Sequence, residues 1–160
     1  MGSFFSKQKK LIILRGLPGS GKTELANDLL KKNKNGQIFS VNDFFINDGK
    51  FKYDTSKAKE AHLWNQSRAE NAMKEGCSLI IINNPNVRKW EARPYVESGI
   101  KYGYIIEFIE TNSVWKNDVY ELSKRDVHNV PIEVIKKMKN QWEKDFTLEN
   151  VLKSKAPWEN

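Results

Sequence analysis

The stretch from Gly16 to Thr23 (GLPGSGKT) constrains this chain most, because it meets the spacing G-x-x-x-x-G-K-S/T in full. The preceding apolar run, Lys10–Arg15, predicts a buried strand, and the following stretch, Thr23–Lys32, predicts a helix. Glycines in such a loop let backbone N–H groups turn inward at the start of a helix, where the helix dipole also attracts anions. The sequence therefore predicts a phosphate-binding loop between a strand and a helix.

The side chains of this P-loop have separate predicted roles. Lys22 is expected to reach the β- and γ-phosphates of a nucleoside triphosphate and to act in catalysis. The Thr23 hydroxyl is expected to bind Mg²⁺, which prefers hard oxygen ligands. No Asn-Lys-x-Asp motif follows a strand, which disfavours a GTPase, so ATP and Mg²⁺ are the predicted cofactors. The predicted nucleotide-binding residues are Gly16, Pro18, Gly19, Ser20, Gly21, Lys22 and Thr23.

Strand-like and helix-like segments alternate along the rest of the chain. Short apolar or β-branched runs predict three more strands, at Gln37–Val41, Ser78–Ile82 and Tyr104–Ile109. A long helix is expected from Ser56 to Glu75, capped by Thr55 or Ser56. A shorter helix is expected at Arg88–Glu97, closed by Gly99. Strands that alternate with helices predict an α/β fold with a parallel sheet flanked by helices.

Two regions fall outside this alternation. Asn42–Tyr53 is expected to be a loop, with a turn at Asp48-Gly49. After the last predicted strand, apolar residues recur at helical spacing and predict two amphipathic helices, which suit a helical lid. These residues are Trp115, Val119 and Leu122, then Ile132, Ile135, Met138, Trp142 and Phe146.

Five segments together resemble the NEDD4-binding-protein-2-like family of P-loop kinases and, more distantly, bacteriophage-type polynucleotide 5′-hydroxyl kinases. They read LIILRGLPGSGKTELANDLL, IFSVNDFFI, EAHLWNQSRAENAM, IIINNPNVRKWEARPYVE and ELSKRDVHNVPIEVIKKM, and span about Leu11 to Phe146. The resemblance implies a P-loop NTPase fold of the small-kinase type with a helical lid. It also implies transfer of the ATP γ-phosphate to the 5′-hydroxyl of a nucleic acid end.

The resemblance assigns roles to residues outside the P-loop. Arg125, in the segment SKRDVHNVP, matches the family's lid arginine and would stabilise the charge that develops during transfer. A solvated arginine on a surface helix is the alternative interpretation. His62, Asn65 and Arg68 lie at helical spacing and are candidates to line the acceptor groove, with ordinary surface contacts as the alternative.

The chain departs from the family at two acidic positions. The family has paired acids after the second strand, where this chain has Asn42 and Asp43, and an acid after the third strand, where this chain has Asn83. An amide cannot accept a proton from a hydroxyl and is a weaker magnesium ligand than a carboxylate. Asp43 is therefore the predicted proton acceptor. The alternatives are a nucleotide-binding pseudokinase or regulatory module and a small-metabolite kinase.

Length and composition favour one domain. We expect a basic N-terminal segment at residues 1–10, a P-loop kinase-like domain at 11–150 and a C-terminal tail at 151–160. The net charge of +7 permits a polyanionic partner, but the lysines are scattered and the abundant lysine and asparagine fit compositional drift. No apolar run is long enough to cross a bilayer, and no secretory leader is evident. The lone Cys77 predicts a buried, reduced thiol and a cytoplasmic location.

The first residues, MGSFFS, fit the pattern for N-myristoylation at Gly2. Lysines follow directly, and an acyl chain together with a basic cluster can anchor a protein to a membrane surface. Membrane association is thus a second expectation for localisation. A cloning remnant, a source without the transferase and coincidence are the alternatives.

Overall fold

A computed structural model describes residues 8–159 of the chain. Its strands are β1 Lys10–Arg15, β2 Gly36–Phe39, β3 Ile46–Asn47, β4 Lys50–Phe51, β5 Leu79–Asn83 and β6 Ile105–Glu110. Four of them form a parallel sheet in the order β2–β5–β1–β6, and β3 and β4 form a separate antiparallel hairpin. Because the strands are parallel, the segments after β1, β2, β5 and β6 all leave the same edge of the sheet.

Helices cover both faces of the sheet. They are α1 Lys22–Lys31, α2 Ala58–Lys74, α3 Lys89–Lys101, α4 Val119–Arg125, α5 Ile132–Asn140 and α6 Leu148–Lys153. Alternate residues of β1 point to opposite faces: Leu11 and Ile13 pack in the cluster that contains α2 and α3 residues, and Ile12 and Leu14 pack against α1. The predicted α/β fold, with a parallel sheet flanked by helices, is confirmed.

The segment predicted as a loop, 42–53, contains more structure than expected. A 3₁₀ turn at Val41–Phe45 is followed by the β3–β4 hairpin. The predicted turn residues do form the hairpin turn, since Asp48 and Gly49 both have positive φ, at 52° and 76°. Strands of two residues each are too short for sequence periodicity to reveal.

The structure corrects the predicted boundaries of two helices. A 3₁₀ turn at Thr55–Lys57 precedes α2, and its cap is Asp54, whose carboxylate accepts from the backbone N–H of Ser56. Gly99 does not end α3 but lies inside it, buried against the sheet. A Cβ at this position would come within 2.7 Å of the Leu11 side chain, so the glycine allows close packing of helix on strand.

The C-terminal part of the chain is folded onto the domain. The predicted tail, residues 151–160, begins inside α6, and Val151 is fully buried among residues of the core. The last predicted amphipathic helix stops at Asn140, so Trp142 and Phe146 lie beyond it. Both rings instead cover the guanidinium of the buried Arg15, at 4.1 and 3.4 Å from the ring centroids.

Arg15 connects this C-terminal segment to the P-loop, which begins at the next residue. Its guanidinium donates to the backbone oxygens of Asn86, Val87 and Glu143, at 2.9, 3.1 and 2.7 Å. We call Arg15, Trp142, Glu143 and Phe146 the arginine clasp. It ties the end of β1 to the loop after β5 and to the segment after α5.

Two further expectations concern location. Cys77 is buried, as predicted, and burial raises the pKa of its thiol. Within residues 8–159, no helix has the length and apolar character needed to cross a membrane. Gly2, the candidate acylation site, lies outside the described residues.

Candidate functional site

The P-loop follows β1 and leads directly into α1. Gly19 and Gly21 have positive φ, at 81° and 101°, a conformation that side chains rarely adopt. Gly19 also lies against the backbone of α4, because a Cβ there would collide with the carbonyl oxygen of Leu122. Both glycines are thus required by the turn, and Gly19 also by the close approach of α4.

Lys22 lies folded into the loop. Its Nζ donates to the backbone oxygens of Gly16 at 2.8 Å and Leu17 at 3.2 Å. Desolvation lowers the pKa of Lys22 to about 8, although the charges of Asp126 and Glu24 act to raise it. A bound phosphate can replace the two carbonyls and favour the charged form of the amine.

Thr23 and Asn83 meet at the start of α1 and the end of β5. The Asn83 amide nitrogen lies 3.4 Å from the Thr23 hydroxyl oxygen. These two side chains can supply neutral oxygens, which fits a magnesium ion that keeps most of its waters and also binds phosphate. The pair lacks the carboxylate that the family has near this position.

Two other asparagines of the β5–α3 loop support the backbone. The Asn84 side-chain oxygen accepts from the N–H of Val41 at 2.9 Å, and so joins the ends of β5 and β2. Asn86, with φ 48°, donates to the carbonyls of Leu14 and Asn84. Both side chains are buried. The three asparagines of 83–86 therefore divide into one that faces the P-loop threonine and two that hold the loops together.

Asn42 and Asp43, at the end of β2, point in different directions. The Asn42 amide nitrogen lies 3.5 Å from Nδ1 of His128, and the His128 ring packs on Phe51, with centroids 4.3 Å apart. The Asp43 carboxylate instead pairs with Arg68 at 3.1 Å. Asn42 thus faces the lid, and Asp43 faces α2.

The three predicted acceptor residues on α2 have different environments. Asn65 is fully buried, donates to the Tyr95 hydroxyl at 2.9 Å, and accepts from Arg68 at 2.7 Å. Arg68 also donates to the backbone oxygen of Ser40 at 3.2 Å. Of these three residues only His62 lines the large cavity beside the P-loop, which we call the central cavity, and burial lowers the pKa of its imidazole. Asn65 and Arg68 hold the end of β2 against α2.

The lid, α4 and α5, covers the P-loop from the side of β6. The Trp115 indole N–H donates to the backbone oxygen of Gly19 at 3.0 Å, and the Ser113 hydroxyl donates to that of Ser20 at 3.0 Å. The Arg125 guanidinium lies 3.6 Å from the centroid of the Trp115 ring and pairs with Glu121. Trp115 therefore supports both the loop and the lid arginine.

One cavity of about 880 Å³ joins these parts. Its walls come from the P-loop, the ends of β2 and β5, the β4 end of the hairpin, α2 and the lid. Predicted residues in its lining are Pro18, Gly19, Ser20, Gly21, Lys22, Thr23, His62 and Arg125. Gly16 lines a smaller cavity of about 210 Å³ on the β6 side, with Thr111, Lys116 and Trp142. Asp43, Asn65 and Arg68 line neither of these two cavities.

Several lining residues were not predicted as site residues. The sequence gives His128 no role beyond its place in the segment SKRDVHNVP, and it predicts Trp115 only as an apolar residue of a helix. Phe45, Phe51 and Tyr53 lie in the segment predicted as a loop, and they line the cavity at the β2 end. Several aromatic residues close together in a short polar segment are the sequence feature that could have predicted a ligand-binding surface here.

A parallel sheet with a phosphate-binding loop after an inner strand, and a helical lid over that loop, defines a P-loop kinase-like domain. Residues 11–144 match the AAA_33 family model, described as an AAA domain. The chain belongs to this family. The fold predicted from the sequence, a P-loop NTPase of the small-kinase type, is confirmed.

Curated relatives agree with the predicted resemblance. Human NEDD4-binding protein 2 is 39% identical over 147 residues, which is 92% of this chain and 8% of that protein. The 2′,3′-cyclic-nucleotide 3′-phosphodiesterase of Rattus norvegicus is 27% identical over 141 residues, which is 86% of this chain and 32% of that protein. The chain thus spans at most about a third of these relatives. The resemblance to NEDD4-binding protein 2 is confirmed.

Solved structures share the fold. A chain of the Pnkp1/Rnl/Hen1 RNA repair complex superposes with a TM-score of 0.63 at 21% identity, covering 84% of this chain and 44% of that one. A putative kinase from Chloroflexus aurantiacus gives a TM-score of 0.58 at 18% identity, covering 81% and 76%. At such identities, the likeness shows the architecture alone.

Proposed function

We propose that the chain binds ATP with Mg²⁺ and transfers the γ-phosphate to the 5′-hydroxyl of a nucleic acid end. The observation that carries this proposal is the single cavity that runs from the P-loop to the end of β2 and α2. Lys22 and Thr23 line one part of it, and Asn42 and His62 line another. A donor and an acceptor can therefore meet in one cavity, as phosphoryl transfer requires.

The donor side has the groups that transfer needs. The loop backbone and Lys22 hold the phosphates, Thr23 holds Mg²⁺ together with phosphate oxygens and water, and Arg125 approaches the transferring group from the lid. Magnesium supplies neutralisation of phosphate charge when it is bound. Arg125 now pairs with Glu121 and stacks on Trp115, so it must reorient towards the phosphates as they bind.

Two side chains can take the proton of the acceptor hydroxyl. Asp43 is the carboxylate predicted for this role, and it must leave Arg68 to reach the cavity. His128 already lines the cavity and contacts Asn42, the position at which the family has an acid. We assign the role to Asp43, and to His128 if Asp43 proves dispensable.

One structural neighbour supports a nucleic acid acceptor. The neighbour of similar architecture, with a TM-score of 0.63, belongs to an RNA repair complex. The net charge of +7 suits a polyanionic acceptor. We also propose a cytoplasmic location, with contact to a membrane surface through an acylated Gly2. Measuring the intact mass of the protein produced in a eukaryotic cell tests whether Gly2 carries the acyl chain.

A nucleotide-binding module without transfer is the second candidate. Asn42 and Asn83 stand where the family has acids, and the nearest carboxylate to Asn42 along the chain, Asp43, is paired with Arg68. Such a protein would close its lid on nucleotide and act through that change of shape. The P-loop is shared by both candidates, so only a measurement of transfer separates them.

The experiment measures transfer of radiolabelled γ-phosphate from ATP to a panel of acceptors. The panel contains single-stranded 5′-hydroxyl oligonucleotides of RNA and DNA, nucleosides, and sugars. We expect labelled 5′-phosphate on an oligonucleotide. Label on a sugar alone would identify a small-metabolite kinase, and ATP binding without label on any acceptor would identify the nucleotide-binding module.

A further inference from the structure

Three aromatic side chains line the central cavity at its β2 end. They are Phe45, Phe51 and Tyr53, and we call them the aromatic wall. Their rings meet edge to face, with the centroid of Phe45 4.8 Å from that of Tyr53 and 6.3 Å from that of Phe51. β5 lies between β2 and the strand that precedes the P-loop, so the wall is set apart from the phosphate-binding end.

Tyr53 is the exposed member of the wall. Phe45 is 6% exposed, whereas Tyr53 is 55% exposed although its ring is fixed against Phe45. Within the described chain, the largely exposed aromatic side chains are Tyr53, Tyr120 and Trp158, and Tyr53 alone among these three lines the cavity. A fixed ring with an open face, inside a cavity, is a surface on which a flat ligand can stack.

The surroundings of Tyr53 favour a nucleobase as that ligand. Unpaired bases stack on tyrosine without regard to sequence, because every base has a π-face. Thr55 and His62 line the same end of the cavity and can bond the edge of a base. Lys50 and Lys52 are exposed on and beside β4, where they can contact the phosphates that follow a terminal nucleotide.

We propose that Tyr53 stacks on the base of the acceptor's terminal nucleotide. This proposal rests on the proposed function, because it takes the 5′-hydroxyl of the bound nucleotide to be the acceptor of the phosphate. The stacking itself requires only that the nucleotide binds. The acceptor is then an unpaired, base-bearing 5′ end, and Tyr53 is a binding residue that sets acceptor class. Asn42 and His128 line the same cavity as the P-loop, and the His128 ring packs on Phe51 of the wall.

The test measures binding of a 5′-hydroxyl pentadeoxyadenylate with a 3′-fluorescein label, by anisotropy, to the full chain with ADP and Mg²⁺. Tyr53→Ala should weaken binding about tenfold, which is the effect typical of losing one stacked base. Tyr53→Phe, which keeps the ring, should bind like the wild type. Tyr120→Ala removes an exposed tyrosine outside the cavity and should also bind like the wild type. ADP affinity should be the same in all four proteins.

A second oligonucleotide, abasic at its 5′ residue, separates stacking from a structural effect. The wild type should bind the abasic strand about tenfold more weakly than the intact strand, and Tyr53→Ala should lose nothing further on it. Equal weakening of both strands by Tyr53→Ala would show that the ring only supports the hairpin. Unchanged affinity of Tyr53→Ala for the intact strand would also overturn the proposal.

Free adenosine is then added as a competitor of the labelled strand, to show whether the site accepts a nucleoside as well as a strand. Displacement of the strand by adenosine from the wild type but not from Tyr53→Ala supports stacking on Tyr53. The proposed function can fail separately. Tyr53-dependent binding without transfer of label would remove the kinase assignment and leave the stacking. Transfer to oligonucleotide with unchanged kcat/KM in Tyr53→Ala would remove the stacking and leave the kinase.

Discussion

The Arg68 guanidinium nitrogen Nη2 lies 3.1 Å from the Asp43 carboxylate oxygen Oδ2, at the end of β2. The same guanidinium reaches the backbone of Ser40 and the side chain of the buried Asn65. Asp43, the carboxylate predicted to act as base, is therefore held by a network that also fixes this end of the sheet. Its availability for chemistry depends on whether that ion pair opens when substrates bind.

The pairing leads to a comparison of two variants. Asp43→Asn should reduce transfer by on the order of 10²–10⁴, as expected for loss of a general base, without changing ATP affinity. His128→Gln should leave kcat within a few-fold of the wild type. Steady-state transfer to a 5′-hydroxyl oligonucleotide measures both. The reverse pattern, with His128→Gln nearly inactive and Asp43→Asn active, would assign the proton to the lid histidine.

Lys22→Ala should abolish detectable ATP binding and leave the fold intact. The Lys22 amine donates to two loop carbonyls, at Gly16 and Leu17, so its removal takes away a phosphate ligand without leaving a buried charge unpaired. Calorimetric titration with ATP and the far-UV circular dichroism spectrum give the two measurements. Lys116→Ala, which removes a lysine of the smaller cavity on the β6 side, serves as a charge-matched control and should bind ATP. Wild-type ATP affinity in Lys22→Ala would contradict the assignment of the loop.

ATP binding should take up protons above neutral pH. Desolvation lowers the pKa of Lys22 to about 8 in this structure, and bound phosphates favour the charged amine. Lys22 is then mostly charged at pH 7 and mostly neutral at pH 9, so uptake should rise from about 0.1 to about 0.9 proton over that range. ATP affinity should fall as pH rises through 8.

Calorimetry in two buffers of different ionisation enthalpy measures this uptake at each pH. Lys22→Arg stays charged throughout the range and should take up no proton if it retains binding. Constant, small uptake by the wild type from pH 7 to pH 9 would mean that Lys22 is already charged before nucleotide binds.

Restoring the family's acids should raise activity. Asn42→Asp supplies a group that can accept a proton, and Asn83→Asp places a carboxylate beside Thr23 for magnesium or its waters. The double variant should transfer phosphate roughly tenfold faster or more and should exceed either single variant, because both groups act in one transition state. ATP affinity should change little. A double variant inert on every acceptor would show that the family's chemistry does not apply.

Asn65→Ala should destabilise the domain by about 1–3 kcal/mol, because it removes the buried hydrogen bonds that Asn65 donates to the Tyr95 hydroxyl and accepts from Arg68. Asn71→Ala, on the exposed side of the same helix, should change stability by less than about 0.5 kcal/mol. Urea unfolding monitored by tryptophan fluorescence measures both. A small effect at Asn65 would show that its amide belongs to an acceptor site rather than to the framework.

The sequence was most informative where a local pattern determines structure. The P-loop and the parallel sheet follow from glycine spacing and from apolar runs, and both are as predicted. The direction of a side chain is harder to predict from sequence. Helical spacing places His62, Asn65 and Arg68 on one side of α2, but in the structure only His62 of these three lines the cavity, and Asn65 and Arg68 hold the end of β2. Whether a residue faces the core or a cavity depends on packing between elements that are distant in sequence, which periodicity does not encode.

Contacts between distant segments were the other gap. The pairing of Asn42 with His128 spans 86 positions along the chain, and no local pattern predicts it. Gly99 was assigned to a helix end because glycine is common there, yet close packing on Leu11 explains it.

The arginine clasp sets a practical limit on how the domain can be shortened. The family match ends at residue 144, between the two rings that cover Arg15. A truncation at that point keeps every residue of the P-loop and removes Phe146 and α6, which exposes the guanidinium that precedes Gly16. In such a fragment the Arg15 guanidinium next to the P-loop has lost the Phe146 ring that covers it. A loss of nucleotide binding would then reflect the missing C-terminal segment and not the P-loop itself. A version of the domain that keeps the clasp intact must therefore include Phe146, and residues beyond α6 also pack on the domain, since Arg93 donates to the backbone oxygen of Ser154 and Trp158 contacts Trp90.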